Sequence, residues 1–501
     1  MAATKSWRPP NPKRKDYIPE RQFSFESAPP PIPSTSIKET LTTEVLVVGA
    51  GVSGVCAALA AAEKSARVIL IEKTNSYQGF GGDNSFIGSR LQKQLGIEID
   101  PNEVVLNLQR FAGNRPDQRL VRHWAEHGAE TMDWIMDMTD AAGMKVAITQ
   151  YPPPAPIDNS KEYYPHYLSC HHYEKGEREL VKCLLDNAIQ KGVEVHYQIR
   201  AQQLLRKGRG RVTGLVAKNK DGDYIRYKAT KAVILCTGEY GNNAEMMAKY
   251  CPEFAEMGTI LATATGDGHQ MAMWIGAMME PSPHAPMVHS IYGPLGCCAF
   301  LQVNQKGERF QNEDVLCEVY VDAVRRQPGN EAWQVFDADF AKALPRMGIG
   351  IGKFLQVDEE SLTRMKQSSV SADSLEELAA KMEVPADVFS ATIKRYNQLA
   401  RLGKDLDFGK RGDRLTLIKK PPFYAGKGFY WFLCAMGGLM VNTRLQPVDK
   451  DFNAIPGLYL GGNIIGNRFG VRYPSMLPGL SNGMALHYGR VAGMNAVTLE
   501  K

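Results

Sequence analysis

Apolar residues along this chain gather in short unbroken runs, with stretches of three-to-four spacing between them. Val45-Leu-Val-Val48, Val68-Ile-Leu-Ile71 and Ala232-Val-Ile-Leu235 predict buried strands of a largely parallel sheet. Val193–Ile199 predicts a further strand. Arg211–Val216 and Tyr224–Ala229 alternate and predict a hairpin. Helices are predicted at Val55–Glu63, over much of 101–147, at Leu180–Gln190, at Gln270–Ile275, near 357–400 and at Met484–Val497. In the second of these Phe111, Leu120, Trp124, Met132, Trp134 and Ile135 recur at helical spacing. Pro281–Phe300 reads as irregular. Strand, glycine loop and helix return after Phe429, at Gly457-Leu-Tyr-Leu-Gly461-Gly462-Asn463 and Met484–Val497. The chain therefore reads as α/β: a Rossmann-like split nucleotide domain with an inserted α+β cap. The expected bounds are an arm at 1–38, the nucleotide domain at 39–278 and 430–501, and the cap at 279–429.

The most informative stretch joins the first two strands. Val45–Val48 runs into Gly49-Ala-Gly51-Val-Ser53-Gly54, then an alanine-rich helix, then a strand ending at Glu72. Gly49 permits the tight turn. Gly51 lets a pyrophosphate approach backbone amides at a helix N-terminus, and Gly54 lets that helix pack on the sheet. Glu72, 23 residues after Gly49, is placed to accept from a ribose hydroxyl pair. A glycine trio alone is weak; flanked by strand, helix and acid, it predicts a dinucleotide site.

Composition narrows the class. At 501 residues the chain is too long for one ordinary core. A net charge of +5 with no basic stripe argues against a nucleic-acid surface, and no apolar run reaches membrane-spanning length. Nine scattered cysteines without Cys-x-x-Cys argue against structural zinc, iron–sulfur clusters and attached haem, and suit reduced thiols in a cytoplasm. No metal site is expected. Cys297-Cys298 reads as loop packing. The arm holds eight prolines and seven Lys/Arg against three acids, with no signal-peptide core. Trp7, Tyr17, Phe23 and Phe25 are placed to pin it to the body or to a second subunit, giving a possible homo-oligomer; a free tail is the alternative.

Further candidates follow the fingerprint. Lys73 comes directly after the ribose acid. Gly81, Gly82, Asp83, Asn84 and Ser85 form a second clamp on the dinucleotide, since glycines allow close approach and the polar residues offer hydrogen bonds. Thr237-Gly238 ends the Ala232–Leu235 strand at the carboxyl edge of the sheet. Asp267 caps a helix or holds a cofactor hydroxyl. The loop from Tyr151 through Tyr163, Tyr164, His166, Tyr167, His171, His172 and Tyr173 reads as a rim for an aromatic substrate or as surface packing.

Several ordered motifs resemble the flavoprotein superfamily of fumarate reductase, succinate dehydrogenase and 3-ketosteroid 1-dehydrogenase. They are the glycine fingerprint with Glu72, Gly81-Gly82, Ala264-Thr-Gly-Asp267-Gly, Val303-Asn304 through Asn312-Glu313, Met436-Gly437-Gly438, Ile455–Gly462 and Gly489-Arg-x-Ala-Gly493. The resemblance spans about 43–499 and implies extended FAD, with its ring between the split domain and the cap. Ser53, Gly437, Gly438, Gly462, Asn463 and Gly483 join the expected FAD set through these motifs. FAD is expected to be noncovalent, because the Gly79–Ser89 loop lacks the histidine that succinate dehydrogenases and quinol-linked fumarate reductases place there.

Two departures argue against a dicarboxylate substrate. Leu433 and Cys434 stand where fumarate reductases have a histidine before Met-Gly-Gly, and Tyr473 stands where they have an arginine. Arg468 and Arg472 remain, and His284 matches the histidine after the cap entry. Arg472-Tyr473-Pro474 with Gly479 is similar to the ketosteroid dehydrogenase loop. Carried over, the Tyr473 hydroxyl and Gly479 amide bind a substrate carbonyl. The expected enzyme moves hydride between flavin N5 and a hydrophobic, cyclic or aromatic unsaturated ketone or polyphenol. Tyr473 is the acid–base candidate, supported by Arg472, with Tyr320, Glu318 and His284 behind it. The superfamily includes isoflavonoid reductases acting on tetrahydrodaidzein. A 3-ketosteroid 1-dehydrogenase, a fumarate reductase and a non-catalytic electron-relay or scaffold subunit are the alternatives. The electron donor is not named by any motif.

Overall fold

The computed structural model describes residues 23–149, 158–350 and 358–498. Its largest sheet has seven strands, in the order Glu194–Tyr197, Val68–Glu72, Ile37–Val48, Tyr224–Leu235, Val212–Lys218, Arg200–Arg206, with Leu458–Leu460 also on Tyr224–Leu235. Two strands are longer than the apolar runs suggested. Ile37–Val48 and Tyr224–Leu235 pair in parallel along their whole length and divide into two regimes. Their last four residues are buried, and beside them lie the parallel strands Val68–Glu72 and Leu458–Leu460. The first half of Tyr224–Leu235 alternates in exposure and that of Ile37–Val48 is mostly exposed, and there Val212–Lys218 pairs antiparallel to Tyr224–Lys228. The Tyr224–Ala229 and Ala232–Leu235 runs are thus one strand, changing from one covered face to two.

The glycine-turn helix, Val52–Glu63, and the last helix, Leu480–Val497, pack on each other over this sheet. Small residues make the contact close. A Cβ on Gly489 or Gly493 would overlap the Ser53 or Ala57 carbonyl oxygen. The region 101–147 is two helices, Pro101–Phe111 and Gln118–Ala141, each capped by an aspartate, followed by the short strand Val146–Ile148.

The cap carries a second, antiparallel sheet, in the order Leu301–Val303, Trp333–Phe336, Phe423–Lys427, Val370–Ala372. Its own core includes Val303, Val335, Leu378, Phe389, Ile393 and Phe423, drawn from that sheet and from helices Leu375–Met382 and Ala386–Leu402. The two chain passes leading into and out of the cap sheet pair as an antiparallel ribbon, Pro286–Ile291 with Phe429–Ala435. Pro281–Phe300 is therefore not irregular throughout. The helix Cys317–Val324 packs on that ribbon.

One reading of the sequence needs correction, and one of its alternatives is borne out. The cysteines are not all free: Cys297 and Cys317 form a disulfide, at a Cα–Cα distance of 6.3 Å that suits one. Sequence spacing gave no sign of it because the cap fold brings together positions 20 apart. The arm's Phe23 and Phe25 pin to their own chain. Phe25 is buried against Tyr250, its carbonyl accepts from Trp274 Nε1 at 2.8 Å, and Glu26 pairs with Lys249. Trp7 and Tyr17 lie outside the described residues.

Candidate active site

A cleft of about 620 Å³ runs from the glycine turn, across the carboxyl ends of the parallel strands, to the ribbon and the Cys317–Val324 helix. At one end lie Gly49, Gly51, Ser53, Glu72 and Lys73. Along it lie Gly81, Gly82, Asp83, Thr237, Gly238, Asp267, Gly462 and Asn463. At the far end stand Met287, His289, Glu318, Leu433, Cys434 and Tyr473. Crevices of this kind at strand carboxyl ends are where open α/β sheets bind ligands.

The near end fits a dinucleotide. Gly49 has φ +104°, and a Cβ there would overlap the Cys236 carbonyl oxygen, so only glycine makes the turn. Gly51 is different: an added Cβ meets nothing nearer than 4.0 Å and projects toward the cleft beside the helix N-terminus. Gly54 lets its helix approach Gly49 and Cys236. The Glu72 carboxylate lines the cleft but already accepts from Ala50 N at 2.8 Å, Thr74 N at 2.8 Å and Thr74 Oγ1 at 2.9 Å. A carboxylate has roughly four lone-pair sites. Glu72 thus has room for about one further donor rather than a hydroxyl pair. Thr237 Oγ1 is buried with no partner and borders the cleft, as an atom meant for a ligand does.

Other expected cofactor residues are engaged by partners within the protein or serve close packing. Lys73 Nζ is bound to Thr263 O, Thr265 Oγ1 and Asp267 Oδ2. Asp267 also pairs with Arg200, and the residue capping its helix is Gly266, in the left-handed region. Asn84 and Ser85 face inward, to Glu177 and Ser169, and do not line the cleft. Gly479 and Gly483 let the last helix approach the short strand Asp83–Ser85, where a Cβ would overlap Asp83 or Ser85 backbone; Gly479 also borders the cleft. Gly437 and Gly438 lie behind the cleft, tight against His284 and the Ile464 carbonyl.

The catalytic candidates divide sharply. Tyr473 and Glu318 reach the cleft. His284 does not: it is buried between Tyr240 Oη at 2.5 Å and Glu280 O at 3.0 Å, stacked on Tyr250, and burial pulls its pKa down to about 4. Tyr320 is turned into the cap, donating to Gln302 Oε1 at 2.9 Å and stacked on Tyr292. Arg472 points away from the Tyr473 hydroxyl, as neighbours in extended backbone do, and binds Asp322 at 3.0 Å and Glu253 at 2.6 Å. Arg468 is buried on Ile465 O and Asn463 Oδ1. Among the described residues of the aromatic 158–173 loop, none lines the cleft; Tyr151 lies outside them.

Three of the cleft residues that sequence reasoning missed carry chemistry near the far end. His289 sits on the ribbon strand opposite Trp431; a histidine inside a short, mostly apolar run was the available signal. Glu239 follows Thr237-Gly238 and accepts from Ala435 N at 3.2 Å, and burial pushes its pKa up to about 8. Ser475 lies two residues beyond Tyr473 and faces Glu318. No group of three His, Cys, Asp or Glu able to hold a metal occurs among the described residues. No helix among them is long and apolar enough to cross a membrane.

Comparison with known proteins agrees with this geometry. The FAD binding domain family matches residues 44–476, and the chain belongs to it. Vinyl phenol reductase of Lactiplantibacillus plantarum is 27% identical over 489 residues, covering 90% of this chain and 96% of the relative. A probable fumarate reductase, Ifc3, of Shewanella frigidimarina is 29% identical over 91% of this chain and 75% of its own. The 3-ketosteroid-Δ4-(5α)-dehydrogenase of Rhodococcus jostii RHA1 superposes with a TM-score of 0.74 at 24% identity, covering 93% of this chain and 99% of its own, which shows a shared fold. The protein is an FAD-dependent oxidoreductase with a Rossmann-like FAD-binding domain and an inserted α+β cap.

Proposed function

We propose that the protein reduces a conjugated carbon–carbon double bond in an uncharged aromatic or cyclic substrate, not in a dicarboxylate. One observation carries this. The lysine and arginine among the described cleft-lining residues are Lys73 and Arg200, and both are bound to Asp267 at the nucleotide end. The far end offers Met287, Leu433 and Cys434 as apolar wall and one phenol, Tyr473. A dicarboxylate there would be desolvated without a cationic partner. A neutral phenol, ketone or enone has one oxygen to satisfy, and Tyr473 is positioned to donate to it. FAD, held at the glycine-turn end of the cleft, would supply the hydride. The chain's own residues orient the substrate and polarise its oxygen.

The vinyl phenol reductase relative is named for a substrate of the same class. Polyphenols, tetrahydrodaidzein and other isoflavonoids among them, belong to it. A 3-ketosteroid is the second reading, favoured by Tyr473 and Gly479 bordering the same cleft.

The test is anaerobic. The purified protein is reduced, and flavin reoxidation is followed with 4-vinylphenol, an isoflavonoid ketone, a 3-keto-4-ene steroid, cinnamate and fumarate. Fast reoxidation by a neutral phenolic or cyclic acceptor, with fumarate slow, supports the reading. Fumarate as the fastest acceptor overturns it.

A further inference from the structure

Glu318 is a carboxyl group built into the cleft wall with nothing to hold its charge. It sits at the start of helix Cys317–Val324, is 1% exposed, and borders the cleft. No hydrogen bond of regular geometry reaches either of its oxygens. The groups facing it come from three elements. His289 of the ribbon strand has Nδ1 3.9 Å from Glu318 Oε1. Tyr473 and Ser475 come from the loop before the last helix, and Tyr292 from the loop after the ribbon strand. Asp322, one turn further along the same helix, is paired with Arg472. Among the described residues no cation is left over for Glu318. Burial of an unpaired carboxyl favours its neutral form. Its pKa is pushed up to about 8, by burial against a smaller opposing effect of Ser475, so the group carries its proton at neutral pH. His289 stays neutral, since burial lowers its pKa, and its side chain is 36% exposed.

Resting on the functional reading above, we propose that Glu318 is the acid that gives the reduced substrate its proton, and that His289 is the positioning residue connecting it to solvent. Hydride from the reduced cofactor forms a C–H bond at one alkene carbon. The π bond breaks, and its electron pair moves to the neighbouring carbon. That carbon takes the Glu318 proton as the carboxyl O–H bond breaks. The carboxylate recovers a proton from water by way of the His289 ring, whose Nδ1 lies 3.9 Å away. Tyr473 then keeps its proton and serves to polarise the substrate oxygen.

The test compares wild type, Glu318→Gln and Glu318→Asp, each loaded with FAD. Infrared spectra in water and deuterium oxide read the carboxyl directly, without turnover. A protonated-carboxyl band is expected in wild type at pH 7, lost as pH rises through about 8, and absent in E318Q. Stopped-flow reoxidation follows, with whichever acceptor wild type uses, fumarate included, so that failure of the functional reading leaves this test standing. E318Q is expected to slow that acceptor by about 10²–10⁴-fold. It should accept trans-β-nitrostyrene at close to the wild-type rate, because the nitro group holds the electron pair without an enzyme proton. E318D should recover part of the rate, and His289→Gln should slow turnover and alter its pH profile. Equal rates for wild type and E318Q with an alkene, or no titrating band assigned to Glu318, overturn the proposal.

Discussion

The Ser481 amide, in the first turn of the last helix, donates to the Tyr473 hydroxyl at 3.1 Å. The phenol therefore accepts from a helix N-terminus and keeps its own proton to donate toward the cleft. Burial raises the Tyr473 pKa above the ordinary phenol value, and the Ser481 bond only partly opposes that, so the group works as a neutral donor. Tyr473→Phe is expected to keep FAD and slow reduction of a carbonyl- or phenol-bearing acceptor by about 10²-fold, the cost typical of one oxygen-stabilising donor. Flavin reoxidation at saturating acceptor measures it. An unchanged rate would remove Tyr473 from the site.

The two outer faces of the glycine turn separate folding from cofactor binding. Gly49→Ala forces a Cβ into the Cys236 carbonyl at a positive φ and should cost about 2 kcal/mol or more of stability. Gly51→Ala meets open space, so it should fold normally and weaken FAD binding. Thermal melts of the apoprotein and flavin titration distinguish the two. Equal apoprotein melting temperatures for both variants would contradict the assignment.

Acid should strip stability from the cap. Burial raises the pKa of Asp405, but bonds from Arg309 and the Lys410 and Asp407 amides outweigh it and bring it down to about 2. A carboxyl depressed on folding stabilises above its unfolded pKa and loses that contribution as pH falls through the folded one. The contribution, on the order of 2 kcal/mol at pH 7, should fade between about pH 4 and pH 2. Asp405→Asn should therefore lower the cap's melting temperature at pH 7 and make little difference near pH 2.

The parts legible in the sequence were those where local pattern and tertiary role coincide. Gly49, Gly51 and Glu72 are fixed by a strand-turn-helix unit of about thirty residues, and the apolar runs at Val45–Val48 and Ala232–Leu235 mark doubly covered strands. Residues whose roles depend on which way a side chain turns were not legible. Arg472 adjoins Tyr473 in sequence, but its guanidinium lies on the opposite side of the backbone, on Asp322. His284 matches a family position and ends up buried against Tyr240. Gly437, Gly438 and Gly483 carry motif glycines that serve packing. His289 and Glu318 meet because the ribbon and a cap helix pack together, and no spacing along the chain encodes that.

Flavin should leave on denaturation. His172 is the histidine placed beside the Gly81-Gly82 clamp; its Nδ1 lies 3.2 Å from Gly82 O and 3.7 Å from Asp83 Oδ1, outside the cleft lining. His171 is buried on Ser89 Oγ. Acid-denatured, filtered protein is expected to release all its yellow colour, and flavin retained on the precipitated chain would show a covalent bond.

Arg472 offers the last test, because sequence and structure give it different tasks. As a partner of Tyr473 it would act in the chemical step. As placed, it ties the Tyr473 loop to Asp322 on the helix that carries Glu318, and to Glu253. Asp322 and Glu253 are partly exposed, so screening limits the bond to about 1 kcal/mol. Arg472→Gln should lower the melting temperature by only about 1 °C and slow reduction only severalfold, while the rate retains the wild-type dependence on acceptor oxygen. Asp322→Asn should reproduce that loss, and the double variant should add little, because the two residues share one interaction. A loss of 10²-fold or more in R472Q alone, with FAD retained and D322N near wild type, would return Arg472 to the chemistry.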